Sequence, residues 1–479
     1  MKIKNILLGF LFFACGIVFS QESKKWTLEE CVYYALENNI SIKNSELDKD
    51  LAGIEKTSAI GNFLPSANAT ASHSWNIGLN QNITTGLLEN QTTQFTSAGL
   101  NVGVDIYNGL INQNRLRRAN LSKVASQYQL TKMQEDIGLN VANAFLQILF
   151  NKENLKVQQE QLATNRKQLE RSTDLLDAGV IPRGDLLDMK ATVASDEQRV
   201  ILAENALLIS KLSLAQLLQI EDFKNFDIID QEYDAVQNPL LLQTPESIYQ
   251  KAKESRTELK IAKTNLEIAE RDLAMSKGAY QPRLQGFYSF STRATSLERV
   301  TGIALNPTNP TTVIGVVEDT FQNVVQPNFN PVLGRALPIL DQFENNKGQN
   351  FGVQLTVPIF NGFSARTNVQ RSKVALERSK ILYEQEELTL ERNVFTAFTD
   401  AKGALNAHEA ALVTLEAREE SFVYAKERFD VGLMNAFDFS QSQTLLANAQ
   451  SEVLRTKYDY IFRTKILEFY FGIPIIQTK

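Results

Sequence analysis

Two short turns, Gly179-Val-Ile-Pro-Arg-Gly-Asp185 and Gly432-Leu-Met-Asn-Ala-Phe-Asp438, each run from a glycine to an aspartate six residues later. A carboxylate placed there can cap a helix that starts at the turn or complement its dipole. The glycine can take the left-handed conformation that ends the helix before it. Nothing around these turns suggests bond-making chemistry. The chain has only two histidines, His73 and His408, and two cysteines, Cys15 and Cys31. A zinc or iron-sulfur site usually needs three or four such ligands at close spacing. No glycine-rich phosphate loop or nucleophile motif is found. No enzyme activity, metal or cofactor is expected, and His73 and His408 read as packing or interface residues.

Composition sets further bounds. Of 479 residues, 43% are hydrophobic, and 49 Lys+Arg stand against 55 Asp+Glu for a net charge of -6. That apolar content argues against disorder, and that charge argues against a nucleic-acid partner. A mean hydropathy of -0.21 reads as a water-soluble chain. The N-terminus qualifies this, because Lys2 and Lys4 precede an apolar run from Ile6 to Phe19 and Val18-Phe19-Ser20 offers a cleavage site. Residues 1–20 are expected to be a signal peptide, too short to span a bilayer. Cys15 opens a lipoprotein alternative, for which Phe12-Phe13-Ala14 is a poor context. Loss of Lys2 and Lys4 takes the charge from -6 to -8. No later window approaches 18 uninterrupted apolar residues, so no transmembrane helix is expected. Cys31 is left without a disulfide partner and reads as a small apolar residue on the first helix.

The chain is written twice. Thr27-Leu-Glu29, Ala35 and Pro65 recur 217 residues later as Thr244-Pro-Glu246, Ala252 and Pro282. Gly99, Val104, Ile106, Asn108-Gly109, Val141, Phe145, Gly179, Asp185 and Ile220 recur at an offset of 253. The difference of 36 residues falls between Pro282 and Gly352, so one half carries a larger loop. The first repeat is read as 21–238, with a helix, a β-hairpin at 66–107 and a long helical hairpin at 110–219. The second is 239–479, with a helix, a β-hairpin at 283–360 and a helical hairpin at 363–473. Thr27 to Glu30 has capping-box spacing and Pro245 suits a first helical position.

Strands follow these helices. Ala67, Ala69, Ala71, His73, Trp75 and Ile77 alternate with polar residues, as do Leu100, Val102, Val104 and Ile106. Leu284, Gly286, Tyr288 and Phe290, then Phe351, Val353, Leu355, Val357 and Ile359, repeat the pattern. After each Asn-Gly the period becomes seven. Leu155, Leu162, Leu169 and Leu176 correspond to His408, Leu415, Phe422 and Phe429. The returning arms carry Leu186, Val193, Val200, Leu207 and Leu214, and Phe439, Leu446, Val453, Tyr460 and Leu467. Such heptads on both arms predict antiparallel coiled coils. A helix from Ile111 to Ala178 would run roughly 100 Å at ~1.5 Å per residue. Its return from Asp185 to about Gln219 covers only about half of that.

Each strand is long enough to cross a bilayer when tilted, yet four cannot close a barrel. Two copies would give about 8 strands and three about 12. The alternative is a soluble four-stranded sheet on helices, in a periplasmic or surface coiled-coil structural protein that never spans a membrane. The connection from about Thr292 to Asn350, with Pro307, Pro310, Pro327, Pro331 and Pro338, suits a long outward loop instead.

Trp26-Thr-Leu-Glu-Glu-Cys-Val-Tyr-Tyr-Ala-Leu-Glu-Asn-Asn39, the doubled plan, Pro358-Ile-Phe-Asn-Gly362 and the turns at Gly179 and Gly432 together resemble the TolC family of outer-membrane efflux channels. The resemblance covers nearly the whole chain after the leader. It implies a mainly α fold with a small β part: a homotrimer whose helical hairpins form an α-barrel continuous with a 12-stranded transmembrane β-barrel. It also implies the outer membrane of a Gram-negative bacterium, with outer-membrane lipid around the strands and a long periplasmic extension. The function implied is the passive exit duct of a tripartite efflux or type I secretion system. Its partners would be a periplasmic adaptor (membrane fusion protein) and an inner-membrane transporter of RND or ABC type. By motif position, Val431, Gly432 and Leu433 resemble the tip residues adaptors grip, with Ala178, Gly179 and Val180 the weaker copy. Asp438 falls where the resemblance places an aspartate ring at the periplasmic entrance, with Asp185 in the first half. Three residues on, Asp188 keeps an acid whereas Gln441 does not, so a double ring is weakened. Phe429 stands where the family often has a hydroxyl-bearing aromatic that latches the closed state.

Overall fold

Switches between period two and period seven set the order of elements along the chain. The computed structural model describes residues 25–81, 86–223, 225–231, 233, 235 and 238–473. The expected signal peptide at 1–20, with Cys15, lies outside the described residues. Two compact units result, one from Met1–Gly53, Leu121–Ile268 and Leu376–Lys479, the other from Ile54–Asn120 and Ala269–Ala375.

The helices come in pairs of equal length. Helices α1 (Leu28–Asn38) and α5 (Pro245–Ser255) have 11 residues, and α2 (Ile40–Gly61) and α6 (Thr257–Gly278) have 22. Helices α3 (Ile111–Asp177) and α8 (Ser364–Asp430) have 67, and their returns α4 (Arg183–Leu218) and α9 (Ala436–Phe471) have 36. Thr27 and Glu30 form the expected capping box at α1, with hydrogen bonds of 3.0 and 3.1 Å. Pro245 opens α5 after an N-cap at Thr244.

Within the helical unit two cores form from matching positions. Cys31, Ala35, Ile42, Val141 and Leu214 are buried in one. Ile248, Ala252, Leu259, Val394 and Leu467 are buried in the other. The strands β1 (Lys25–Trp26) and β4 (Asp227–Ile228) pair in parallel beside the first core. Two buried residues, 217 apart, break the helices. Asn39, between α1 and α2, donates from Nδ2 to the Leu217 carbonyl at 3.0 Å. Arg256, between α5 and α6, donates to the Phe469 carbonyl at 3.3 Å and lies 3.8 Å over the Phe469 ring. Each places a donor on carbonyls near a C-terminal helix end, where the dipole is negative. Arg256 is side-chain buried and pairs with Glu135 at 3.1 Å and Glu258 at 2.9 Å. Burial pushes the Glu135 carboxyl up despite that guanidinium. Glu258 is also penalised by burial, but hydrogen bonds from Arg256 outweigh this and hold it below the ordinary value.

Helix α4 is the one described helix long and apolar enough, by composition, to cross a membrane. That window was not expected from uninterrupted runs alone. Its apolar residues divide between two faces. Leu186, Val193 and Val200 are buried, with Val193 and Val200 packed on Leu162, whereas Ile201, Leu202, Leu208 and Ile209 are exposed.

The second unit holds a four-stranded antiparallel sheet in the order β10 (Gly348–Thr356), β5 (Arg283–Thr295), β3 (Leu88–Asn108) and β2 (Ser66–Gln81). Its register separates the faces as alternation predicts. One row reads Ala67, Val102, Tyr288 and Phe351 across the strands, and the next reads Asn68, Asn101, Ser289 and Asn350. One face is therefore largely apolar and the other polar, and among the described residues no further strand pairs with β10 or β2 at the outer edges. Val357 and Ile359 fall beyond the end of β10 at Thr356, since Pro358 has no N–H to donate. His73 lies on the apolar face, edge-on to Trp75 with ring centroids 4.4 Å apart.

The connection expected as a long outward loop has strands of its own. Strand β6 (Arg299–Leu305) pairs with β9 (Phe329–Gly334), and nested inside them β7 (Thr311–Val316) pairs with β8 (Asn323–Pro327). Val- and Thr-rich runs supply the strands, while the prolines sit in turns, at a strand end, or on the two-stranded ribbon, where both strands are edges. Helix α7 (Ile339–Asn345) then closes the free edge of β5. Gln342 accepts from the Thr295 N–H at 3.0 Å and donates to its carbonyl at 2.9 Å. Asn346 donates to the Arg293 carbonyl at 2.8 Å.

His408 is buried on α8, with Nδ1 3.2 Å from Thr456 Oγ1. Burial, then the nearby Lys457, hold its imidazole below the ordinary pKa. The fold thus favours neutral His408, a contribution present above about pH 6.5 and lost as pH falls below it. Leu155 occupies the matching place in the first half. We expect His408→Leu to flatten the fall in Tm between pH 7.5 and 5.5; an unaltered slope would show that His408 does not drive it.

Candidate site at the helical-hairpin tips

The two tip turns share one geometry. Gly179 has φ +71° and Gly432 φ +77°. Gly179 N–H donates to the Leu176 carbonyl and Val180 N–H to that of Leu175, at 2.9 and 2.8 Å. Gly432 and Leu433 do the same to Phe429 and Arg428, at 3.1 and 2.8 Å. This is the Schellman closure, which satisfies the last carbonyls of α3 and α8. It also presents apolar side chains to solvent: Val180 is 66% exposed, and Val431 and Leu433 are 70% exposed. Ala178 is exposed beside them.

Of the two roles open to the aspartates, cap or dipole complement, they take the second. Helix α4 starts after Pro182, which makes no side-chain cap, and α9 starts after Asn435, whose side chain accepts from the Asp438 N–H at 2.8 Å. Asp185 and Asp438 lie in the first turns, where a carboxylate complements the dipole. Asp438 also accepts from Asn435 Nδ2 at 3.0 Å. Asp188, Asp438 and Gln441 are exposed and Asp185 is half-buried. The signal for Asn435 was present, since an Asn three residues before an acid at a helix start is a cap pattern.

Phe429 is held by neighbours that the heptads only hinted at. Its ring stacks on Phe439 at 4.5 Å with an interplanar angle of 14°, and Phe422 lies 5.6 Å from Phe439. Arg171 of α3 reaches across, 5.6 Å over the Phe429 ring and 3.1 Å from Asp430. The half-exposed ion pair is worth at most about 1 kcal/mol. Behind it runs a groove of about 480 Å³ lined by Gln161, Gln168, Arg171, Phe429, Asp430 and Gln443, among others. Gln161 Nε2, Gln168 Nε2 and Gln443 Oε1 are buried there without a protein partner. Each such group costs about 1–3 kcal/mol if water does not reach it. The contact between the two helical hairpins is thus weakly held along the groove and closed near the tips by Arg171, Phe429, Asp430 and Phe439. Among the described residues no cluster of His, Cys, Asp or Glu could hold a metal. The arrangement suits docking and separation of helices.

A family model for outer membrane efflux proteins matches residues 31–218 and 248–471. The chain belongs to the outer membrane efflux protein family. Outer membrane protein TolC of Vibrio cholerae serotype O1 is 22% identical over 478 residues, covering 96% of this chain and 93% of that protein. Among solved structures, the outer membrane channel CmeC of Campylobacter jejuni superposes with a TM-score of 0.76 at 17% identity, over 94% of this chain and 87% of that one. VceC of Vibrio cholerae gives 0.73 at 14%, over 93% and 96%, and the open-state MtrE channel of Neisseria gonorrhoeae gives 0.68 at 15%, over 94% and 91%. This efflux-family protein is an outer-membrane channel, mainly α with a smaller strand part. The reading as a structural coiled coil outside any membrane is not favoured.

No atom comes within 4 Å of a Cβ built on Gly432, so substitution there meets only backbone strain. We expect Gly432→Ala in this channel to lose about 1–2 kcal/mol of local stability and Gly432→Asn to lose less. Amide exchange at Asp430–Leu433 reads the difference, and unchanged protection in the Ala variant would refute the left-handed cap.

Proposed function

We propose that three copies of this chain form the passive exit duct of a tripartite efflux or type I secretion system. The observation that carries this is the four-stranded sheet, with one apolar face and two open edges. In lipid every edge amide must be paired, so the sheet has to close through further copies, and three give a 12-stranded barrel. The helices support the same reading. Ile201 and Leu208 on α4, and Val374, Ile381 and Leu388 on α8, are exposed apolar residues seven apart, left for neighbouring helices to cover. The paired helix lengths support reading 21–238 and 239–479 as two repeats, so that three chains supply twelve helical strands. A cleaved leader at 1–20 would deliver the chain to the periplasm.

In this reading a periplasmic adaptor (membrane fusion protein) grips Ala178, Gly179 and Val180 weakly, and Val431, Gly432 and Leu433 more strongly. An inner-membrane transporter of RND or ABC type supplies the energy. Asp438, in three copies, places carboxylates around the periplasmic entrance, with Asp185 and Asp188 from the first half. Converging carboxylates attract cations and raise one another's pKa. Gln441 adds no charge, so the ring is a single one on the second hairpin. Phe429 has no hydroxyl to donate, and its stack on Phe439 with the Arg171–Asp430 pair takes the place of that latch. An adaptor that moves the second hairpin opens a seam already poor in satisfied contacts.

Two measurements test the proposal. The purified protein should insert into planar bilayers as a trimer and conduct, with Asp438→Asn weakening cation selectivity; no insertion and no current would sink the duct. Pull-down from envelopes with Val431→Asp and Leu433→Asp should lower adaptor capture at least tenfold, about 1.4 kcal/mol, and undiminished capture would remove the tip assignment.

A further inference from the structure

The folded connection between β5 and β10 is a two-stranded arm that leaves the sheet at the Thr295 end of β5. Register fixes its faces. Leu333, Pro331 and Phe329 alternate along β9, and their partners are Val300, Ile303 and Leu305. These six apolar residues therefore share one face. The other holds Gly302, Ala304, Asn330, Val332, Arg299 and Gly334. Every residue of β6, β7 and β8 is exposed, and so is all of β9 except its last residue. Ile303 is 69% exposed and Phe321, in the distal turn, is 81% exposed with φ +53°. A two-stranded ribbon is marginal in water unless something covers its apolar face. A left-handed non-glycine aromatic at a solvent-facing tip adds strain, which persists where a contact repays it.

Charge narrows the choice of cover. Between 299 and 334 the arm has one cation, Arg299, and two acids, Glu318 and Asp319. It offers no basic cluster for lipid phosphates and no charge pattern to select a foreign protein. What remains is an apolar face, available in equal number on each copy. The arm is also rooted next to β10, the edge strand through which the trimer reading joins one copy to the next. Twelve tilted strands about 4.8 Å apart leave a mouth on the order of 12–15 Å in radius. Six paired residues alone reach about 20 Å.

We infer that the three arms pack their Val300, Ile303, Leu305, Phe329, Pro331 and Leu333 faces together about the three-fold axis, covering the outer mouth of the barrel. This rests on the trimer of the proposed function, since a single ribbon face closes symmetrically only around such an axis. The arrangement gives the duct an outer cover.

Cysteine cross-linking in the full-length protein, in outer membranes, tests it. The native Cys31 is buried. Ile303→Cys lies on the apolar face, and Gly302→Cys lies on the other, with open space for its side chain. Under mild oxidation we expect Ile303→Cys to give a covalent dimer band in at least half of the trimers, and Gly302→Cys to give less than a tenth of that. Native mass of each variant reports the trimer separately, so a monomer would overturn the proposed function instead. A trimeric Ile303→Cys protein without cross-links would overturn the cover, whether its thiol then labels fast with a water-soluble maleimide, as in solvent, or slowly, as in lipid. Equal cross-linking of both variants would overturn the facing arrangement.

Discussion

An amide that enters a bilayer unpaired costs several kcal/mol, and most of this architecture answers to that constraint. Four strands with an apolar face cannot satisfy it alone. The open edges of β2 and β10 make the single chain incomplete, and the apolar seams left on α4 and α8 are incomplete in the same way. In the trimer proposed above, pairing between copies completes both. The two largest cores sit where α1 and α5 meet the long helices, around Cys31 and Ile248.

The two halves solve the same local problems with different chemistry. Where the chain breaks a helix against the end of a returning one, the first half uses the neutral amide of Asn39 and the second uses the guanidinium of Arg256. The latter needs Glu135 and Glu258 to offset the burial of its charge. Leu155 is matched by His408, and Asp188 by Gln441. The two halves therefore share element lengths and differ in charge, so that in the trimer proposed above any property that depends on charge alternates from one half to the next.

Much of this was legible in the sequence because periodicity reports burial directly. Alternation over Ala67–Ile77 and Leu100–Ile106 located the strands and their faces, and the Leu155 and Leu186 heptads located the hairpin arms to within a few residues. The glycine turns at the tips followed from backbone sterics. The strands within the long loop were not legible for a physical reason: five prolines suit a loop, yet proline is also tolerated at the ends and free edges of a ribbon. Capping and first-turn roles stayed open for Asp185 and Asp438 because an acid suits both, and the structure gives them the first turn. Arg171 was not found at all, since its partners Phe429 and Asp430 lie 258 and 259 residues away, and no local pattern encodes a contact between hairpins.

Gln342 has a consequence for assembly. Its amide pairs with both backbone groups of Thr295, filling the place of a strand residue where β10 has not yet begun. A sheet that must remain open at its outer edges until partners arrive risks slipping or recruiting the wrong strand. A side chain that terminates the ladder from within acts as a doorstop. It fixes within one chain where β5 and β10 stop pairing, so that in the proposed trimer the stagger of these strands does not wait on a partner.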